Sequence, residues 1–334
     1  MLLAATRQNS SRKECLFPEN SFMRTVQNKL PLTVVIAAKN EEANMAKCLD
    51  ALAPAQKIVV LDSGSTDRTG IIAEQMGAEV VQFRYTGGYP KKRQWLLDQY
   101  SFETEWVFFI DADEVVPVSL WQEISDALTD PANENTDAFI MTKGFHFMGK
   151  KFRFGGFSHK AVLLFRKGKA RFEHLINDPA SFQDMEVHER LIVNGQIRTL
   201  HTPLIHEDFK GLSAYIDRHN KYSTWEAAVR SGYLSTGHYG KDTIQPRLFG
   251  NPQERRRFLK AIAVSIPFEP YLWFLYHYIF KLGFLEGKRG LVACQIRSNY
   301  IAQVRAKIYE MKLAGTTAET QTAGFELAIN NSGK

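Results

Sequence analysis

The chain is 334 residues long, 44% apolar and carries a formal net charge of +6, which fits a globular protein of one large domain plus an extension, or of two domains. Its cysteines, Cys15, Cys48 and Cys294, lie far apart and match no zinc or CxxC spacing, so a sulfur-ligated metal cluster is excluded and a reducing compartment is the default. The positive balance points to an anionic partner, whether nucleotide, phospholipid surface or nucleic acid, without choosing among them.

The chain opens with Met1-Leu2-Leu3-Ala4-Ala5 and a polar run that lacks the apolar core of a signal peptide, and residues 1–30 are expected to form a flexible leader. Leu32 to Ala38 reads as a buried strand, followed by the polar turn Lys39-Asn40-Glu41-Glu42 and a helix with Ala43, Met45, Ala46 and Leu49 on its apolar side. Lys57 to Leu61 is a second strand ending in Asp62-Ser63-Gly64-Ser65-Thr66-Asp67, with a helix over 69–76 behind it and a third strand over 77–83. Three consecutive β-turn-α units predict a parallel, right-handed, doubly wound sheet whose polar strand ends meet on one edge. The Asp62 hexapeptide also reads as a helix-capping turn. Neither a P-loop nor a GxGxxG fingerprint is present, so ATPase and dinucleotide-dehydrogenase readings lose their main support.

Next, Trp106-Val107-Phe108-Phe109-Ile110 runs straight into Asp111-Ala112-Asp113-Glu114. A continuous run of bulky β-formers is the pattern of a strand covered on both faces. If strand geometry persists, Asp111 and Asp113 point the same way and can share a divalent cation. Alternatively these carboxylates cap the following element, a helix over 118–128.

A helix is predicted over 212–230, with Tyr215, His219, Tyr222 and Trp225 along one face, a spacing usual for core. Beyond Arg255-Arg256-Arg257 the chain turns aromatic, but its longest uncharged run, Pro270 to Phe280, falls short of the roughly 20 residues that span a bilayer. Two readings stay open for this region. One is an interfacial helical segment drawn to anionic lipid by its Trp, Tyr and flanking cations, including Lys288 and Arg289; the other is a hairpin packed on the rest of the chain or on a second subunit. Residues 313–334 are expected to be a disordered tail.

Taken in order, Ala37-Ala38-Lys39-Asn40-Glu41-Glu42, Asp62-Ser63-Gly64-Ser65-Thr66-Asp67 and Asp111-Ala112-Asp113-Glu114 resemble the family 2 glycosyltransferases of the GT-A fold. The resemblance extends through Gly87-Gly88-Tyr89-Pro90-Lys91-Lys92-Arg93-Gln94-Trp95, Val187-His188-Glu189-Arg190 and Pro203-Leu204-Ile205-His206-Glu207-Asp208, covering about residues 31–210 and the rest more loosely. Within the family it is similar to the bacterial branch that adds sugars to lipopolysaccharide core or other surface polysaccharides. It implies a mixed, mostly parallel α/β sheet flanked by helices as a catalytic domain over 31–210, with a C-terminal helical, membrane-interfacial extension over 211–312.

The same resemblance implies residue roles. Ala37, Lys39 and Glu41 hold the base and ribose of a nucleotide sugar, probed also by Asp62 at the base edge. Asp111 and Ala112 belong to the donor site, and Asp113 is the direct ligand of a Mn²⁺ or Mg²⁺ bridging the diphosphate, with His206 completing the metal shell. Lys91, Lys92 and Arg93 stand where the family has a basic residue followed by Asn, replaced here by Gln94. Three cations at a glycine-rich helix start suit a diphosphate, although a solvated basic helix end has the same composition. Glu189 is the general base of an inverting transfer; the bland alternative is that His188 and Glu189 cap the strand starting at Leu191.

The expected protein is thus an inverting, metal-dependent glycosyltransferase using a nucleotide sugar, UDP-linked as in UDP-glucose, with a lipid-anchored or polysaccharide acceptor. It would work in the cytoplasm, peripheral on the inner face of the membrane, with an oligomer open to it through the C-terminal helices. The competing expectation is a non-catalytic GT-A-fold assembly protein at the membrane. Nucleic-acid binding lacks any recognisable module.

Overall fold

The computed structural model describes residues 29–175, 189–206, 211–240 and 242–314. The leader up to residue 28, the tail from 315, the Val187-His188 step and Glu207-Asp208 lie outside the described residues.

A seven-stranded sheet forms the centre, ordered β12-β6-β9-β4-β1-β2-β3. Its strands are β1 Leu30–Ala38, β2 Ala55–Asp62, β3 Glu79–Gln82, β4 Trp106–Asp111, β6 Thr136–Lys143, β9 His159–Arg166 and β12 Gln196–Thr199. As the three β-turn-α units predict, β1 pairs parallel with β2 and β4, and β2 with β3. Beyond those units β9 inserts antiparallel between β4 and β6, which makes the sheet mixed as the resemblance implies. The fold is therefore mixed and mostly parallel. Because β9 runs against its neighbours, its first residue, His159, lies opposite Lys143 at the end of β6. The edge that collects the ends of β1, β2, β4 and β6 thus also receives the start of β9.

Strand period explains the apolar run in β4. Phe108 and Ile110 join Leu32, Val34, Ile36, Val60 and Trp121 in the core on one face. Val107 and Phe109 join Val35, Val59, Leu61 and Phe165 on the other. Alternate side chains point to opposite faces, so a strand buried on both must be apolar throughout. Helices α1 Glu42–Asp50, α2 Thr69–Gln75, α3 Lys92–Gln99 and α4 Val118–Thr129 flank the sheet. Helix α4 docks through Leu120, Trp121, Ile124 and Ala127, and the Trp121 indole N–H donates to the Ala51 carbonyl at 2.7 Å.

Two short pairings matter for the site. β5 (Glu114–Val115) pairs antiparallel with β13 (Ile205–His206), placing His206 opposite Glu114. β10 (Ala170–Phe172) pairs with β11 (Leu191–Val193), fixing the chain just after Glu189.

The C-terminal region is helical as expected: α5 Leu212–Thr236, α6 Pro252–Ala263, α7 Glu269–Leu275 and α8 Lys288–Leu313. Helix α5 runs past the predicted end near Arg230 and stops where Gly237 takes φ 75°, its N–H bonding the Tyr233 carbonyl. Its partner α8 supplies Tyr300, Ile301, Val304, Ile308 and Met311 to a core shared with Ala227. The aromatic face of α5 is partly buried, with Tyr215 and His219 stacked at 4.0 Å and His219 edge-on to Tyr300 at 5.6 Å. Among the described residues no helix is long and apolar enough to cross a membrane.

Burial, reinforced by Arg297 and Arg218, pulls the His219 imidazole down to about 4 although its N–H is bonded to the Tyr215 carbonyl. An unfolded imidazole titrates near ~6.5, so between the two values the unfolded chain binds more protons. Stability is then full above ~6.5 and falls as pH drops toward 4, by up to ~3 kcal/mol. Urea unfolding at a series of pH values should show this slope, and His219→Gln should flatten it.

Candidate active site

The acids at the end of β4 do not share one environment. The strand ends at Asp111 and the chain turns at Ala112–Asp113, so the geometry that would align the two aspartates is lost. Arg93 Nη2 bonds Asp111 Oδ1, and Lys143 Nζ lies 2.7 Å from Asp111 Oδ2 and 2.8 Å from Glu114 Oε1. The Asp111 N–H donates to Glu114 Oε2 at 2.9 Å. Burial alone would lift the Asp111 carboxyl, but Lys143 and Arg93 outweigh it and hold the group well below the usual carboxylate range. Glu114 is fully buried, and there burial wins over Lys143, so its carboxyl is raised.

Asp113 faces elsewhere. Its Oδ2 is 3.2 Å from His206 Nε2, while Oδ1 is buried without a hydrogen-bond partner. Burial works against charge on His206, but the hydrogen bond and charge of Asp113, helped by Glu114, raise it to about 9. The His206 carbonyl is bonded by His146 Nδ1 at 2.9 Å, which steadies the strand that presents the imidazole.

The basic run at the start of α3 is not a solvated helix end. Lys91 is buried with its Nζ 3.1 Å from Glu189 Oε1 and 5.6 Å above the Trp225 ring, and Arg93, two residues on, reaches Asp111. One helical turn therefore delivers a cation to each of two acids. Lys92 is partly exposed. The substituted position, Gln94, is buried and accepts the Phe172 N–H at 2.7 Å, tying α3 to β10. Glu189 is itself buried, two residues before the start of β11.

The two expected donor loops are zipped together. Asn40, at φ 56°, accepts from the Thr66 N–H at 2.8 Å and donates its own N–H to Ser65 Oγ at 2.9 Å. The Glu41 N–H donates to Thr69 Oγ1 at 2.8 Å. Asp62 is buried, with Oδ1 accepting from the Ser65 N–H and hydroxyl and Oδ2 from Gln82 Nε2 at 3.0 Å. It thus organises the loop and does not cap the helix behind it, whose N-cap position is Arg68. Lys39 is exposed, Ala37 half-buried opposite Asp111, and Ala112 buried in the core. Lys143 was not foreseen; the signal for it is the rule that singled out Asp111, a charged residue closing an apolar strand.

A shallow hollow of about 370 Å³ lined by Leu49, Lys57 and Glu79 lies at the opposite end of the strands and touches none of these groups.

Residues 33–175 match the family model Glycosyl transferase family 2. The chain carries a family 2 glycosyltransferase domain. Its curated relatives include the lipopolysaccharide core biosynthesis glycosyltransferase LpsC of Rhizobium meliloti, 28% identical over 291 residues, 84% of this chain and 93% of LpsC. An uncharacterized glycosyltransferase of Rickettsia bellii is 24% identical over 84% of this chain and 87% of its own length. Among solved structures, glucosyl-3-phosphoglycerate synthase from Mycobacterium tuberculosis, in complex with Mn²⁺, UDP and glucosyl-3-phosphoglycerate, is 29% identical over 38% of this chain. The match spans about half of that protein, 48%, at a TM-score of 0.28, a local and slight likeness.

In this glycosyltransferase domain Lys143 is the counter-ion of two carboxylates. Lys143→Met should lower stability by about 3 kcal/mol, since removing one partner strands buried charge. Adding Glu114→Gln should restore much of the loss, as read from urea midpoints.

Proposed function

We propose that the chain transfers a sugar from a nucleotide sugar, UDP-linked, to a lipid-anchored or polysaccharide acceptor in cell-envelope glycan synthesis, with inversion and with a divalent cation. The observation that carries this reading is the pairing of Asp113 and His206 beside the neutralised Asp111, with a second, buried carboxylate, Glu189, held apart on Lys91.

The residues present suit a cation. Asp113 keeps one buried oxygen without a hydrogen bond, and its neighbour is an imidazole. Among the described residues no three His, Cys, Asp or Glu side chains gather as a metal cage, so a cation here depends on oxygens from its substrate, as is usual where phosphates complete the shell. Asp113 and His206 would hold Mn²⁺ or Mg²⁺, and the ion would neutralise the departing diphosphate. Such uptake requires His206 to give up the proton it shares with Asp113.

The chain's own groups supply the remaining roles. Ala37 near the end of β1, with Lys39 and Glu41 on the zipped loop after it, lies at the sheet edge where the base and ribose are to be held, and Asp62 keeps the facing loop in shape. Arg93 and Lys92 at the start of α3 face the diphosphate. Lys91 fixes the Glu189 carboxylate in place, and Glu189 takes the proton of the acceptor hydroxyl as that oxygen attacks the anomeric carbon. The departing diphosphate leaves from the opposite face.

Mn²⁺ with UDP should raise the thermal midpoint of the wild type, and Asp113→Ala should lose the Mn²⁺-dependent part. Glu189→Gln should keep that protection while transfer falls about a hundredfold to ten-thousandfold. Transfer at the wild-type rate would remove Glu189 as the base. A wild type neither protected by Mn²⁺ with any nucleoside diphosphate nor able to hydrolyse any UDP-sugar would favour the non-catalytic alternative.

The segment around α7 supports a peripheral position on an anionic membrane. Phe268, Tyr271 and Phe280 are 72%, 73% and 69% exposed, and Leu272, Leu275, Tyr276, Ile279 and Leu285 are exposed with them. Both acids in this stretch are buried, Glu269 on Arg230 and Glu286 on Lys150, whereas Lys281, Lys288 and Arg289 are exposed. An apolar surface with only cations at its rim matches an anionic bilayer. The protein should therefore sediment with phosphatidylcholine vesicles containing phosphatidylglycerol, and Tyr271→Ser with Phe280→Ser should abolish it. A dimer that persists with lipid and no sedimentation would assign this face to a second copy instead.

A further inference from the structure

Two successive residues at the end of β10 hold both halves of the Lys91–Glu189 pair. Phe172, the last residue of β10, donates its N–H to Gln94 Oε1 at 2.7 Å, and Gln94 lies three residues along α3 from Lys91. Glu173 then grips the peptide next to Glu189 from both sides. Its N–H donates to the Arg190 carbonyl at 2.9 Å, and its Oε2 accepts the Arg190 N–H at 3.2 Å. A regular antiparallel ladder would use a backbone carbonyl for the second bond. Here the side chain takes it, and strand pairing begins only at Leu191. With both partners referenced to β10, Lys91 Nζ stands 3.1 Å from Glu189 Oε1.

Glu173 is fully buried, and its carboxylate joins two further segments. Oε1 accepts the Ile244 N–H at 2.8 Å and bonds the Arg257 guanidinium of α6. Arg257 lies 4.6 Å over the Tyr239 ring, and Tyr239 shares a core with Trp225, the ring beneath Lys91. Helix α6 also holds β11 directly, Gln253 Nε2 reaching the Leu191 carbonyl at 3.2 Å. The carboxylate therefore closes a ring of contacts that runs from Arg190 through α6 and α5 to Lys91 and back to Glu189. A buried carboxylate is tolerable only with its oxygens bonded. Only a carboxylate offers two accepting oxygens and a charge to match a guanidinium, so two backbone N–H groups and Arg257 together select an acid at this position.

We propose that Glu173 is a positioning residue for the transfer step: by fixing the Arg190 peptide it holds the Glu189 carboxylate where the acceptor proton is taken. The inference rests on the reading of Glu189 as the base. Displacing a reacting group by about 1 Å costs on the order of a hundredfold in rate. Donor binding, assigned to the ends of β1 and β4, is to be indifferent to Glu173.

Combining Glu173→Met with Arg257→Met exchanges a buried ion pair for apolar side chains, which leaves stability near that of the wild type while removing the bond to the Arg190 N–H. Hydrogen exchange over 189–193 should quicken about tenfold in this variant, with 106–111 in β4 unchanged. In UDP-glucose hydrolysis with Mn²⁺, where water is the acceptor, kcat should fall about a hundredfold. KM and the thermal protection by Mn²⁺ with UDP should stay at wild-type values. Glu173→Gln keeps the shape but offers one accepting oxygen to three donors, and should show the same split with kcat down about tenfold. Ile124→Val, in the core on the other face of the sheet, is the stability control: its midpoint should fall while kcat and exchange over 189–193 hold. Wild-type kcat, or unaltered exchange over 189–193, in the Glu173 variants would overturn the positioning role. A kcat loss accompanied by raised KM and lost protection would also overturn it, assigning Glu173 to the stability of the domain as a whole. Hydrolysis by Glu189→Gln at the wild-type rate, or none by the wild type, would overturn the base reading and the role of Glu173 with it, and is told apart by an exchange difference that stays in place.

Discussion

Everything at the working edge of this sheet depends on neutralising carboxylates at the end of a strand that is buried on both faces. Asp111 ends β4 where it leaves two apolar cores, and Glu114 follows it across the turn at the start of β5. Charges there are tolerable only with opposite charges in hydrogen-bonding contact. Lys143 from β6 and Arg93 from α3 supply them. Their meeting dictates how β6 and α3 must sit against β4, so the electrostatics of the edge also specify its packing.

That neutralisation separates the tasks of neighbouring acids. Asp111 is fully committed to two cations, whereas Asp113, past the turn, meets only an imidazole and keeps a buried oxygen unbonded. The difference comes from backbone, not side-chain type: the turn at Ala112 ends strand pairing, and β5 then pairs with β13 to bring His206 alongside. A residue more than ninety positions away in sequence is thereby set by a two-residue ladder.

Much of this was legible in the sequence, for physical reasons that also mark where legibility ends. Continuous apolar runs declare strands buried on both faces, and β1, β2 and β4 fall where those runs lie. The antiparallel β9 was not visible, because direction within a sheet leaves no trace in period-2 patterning. Acid identity was legible and acid partnership was not. Lys91 reads as a phosphate ligand from its place at a helix start, yet in this structure it is tied to Glu189, which only the β10–β11 pairing carries to it. Asp62 reads as a ligand contact from its place at a strand end, and the pattern does not show that Ser65 and Gln82 bond its oxygens in this structure.

The C-terminal helices extend the same electrostatic logic in the opposite sense. Around Asp111 cations are supplied until the acids are matched. Around Arg190 cations accumulate beyond the acids available, with Glu173 and Glu226 already spent on Arg257, Arg230 and Lys260. Lys260 shows the strain, its ammonium pulled down to about 7 by burial among Arg256, Arg230 and Arg190 against the attraction of Glu226. A fold that satisfies one charged edge so fully and leaves the adjoining one in surplus is not short of acids by accident of composition, since exposed carboxylates such as Asp217 and Glu310 stand on the same helices.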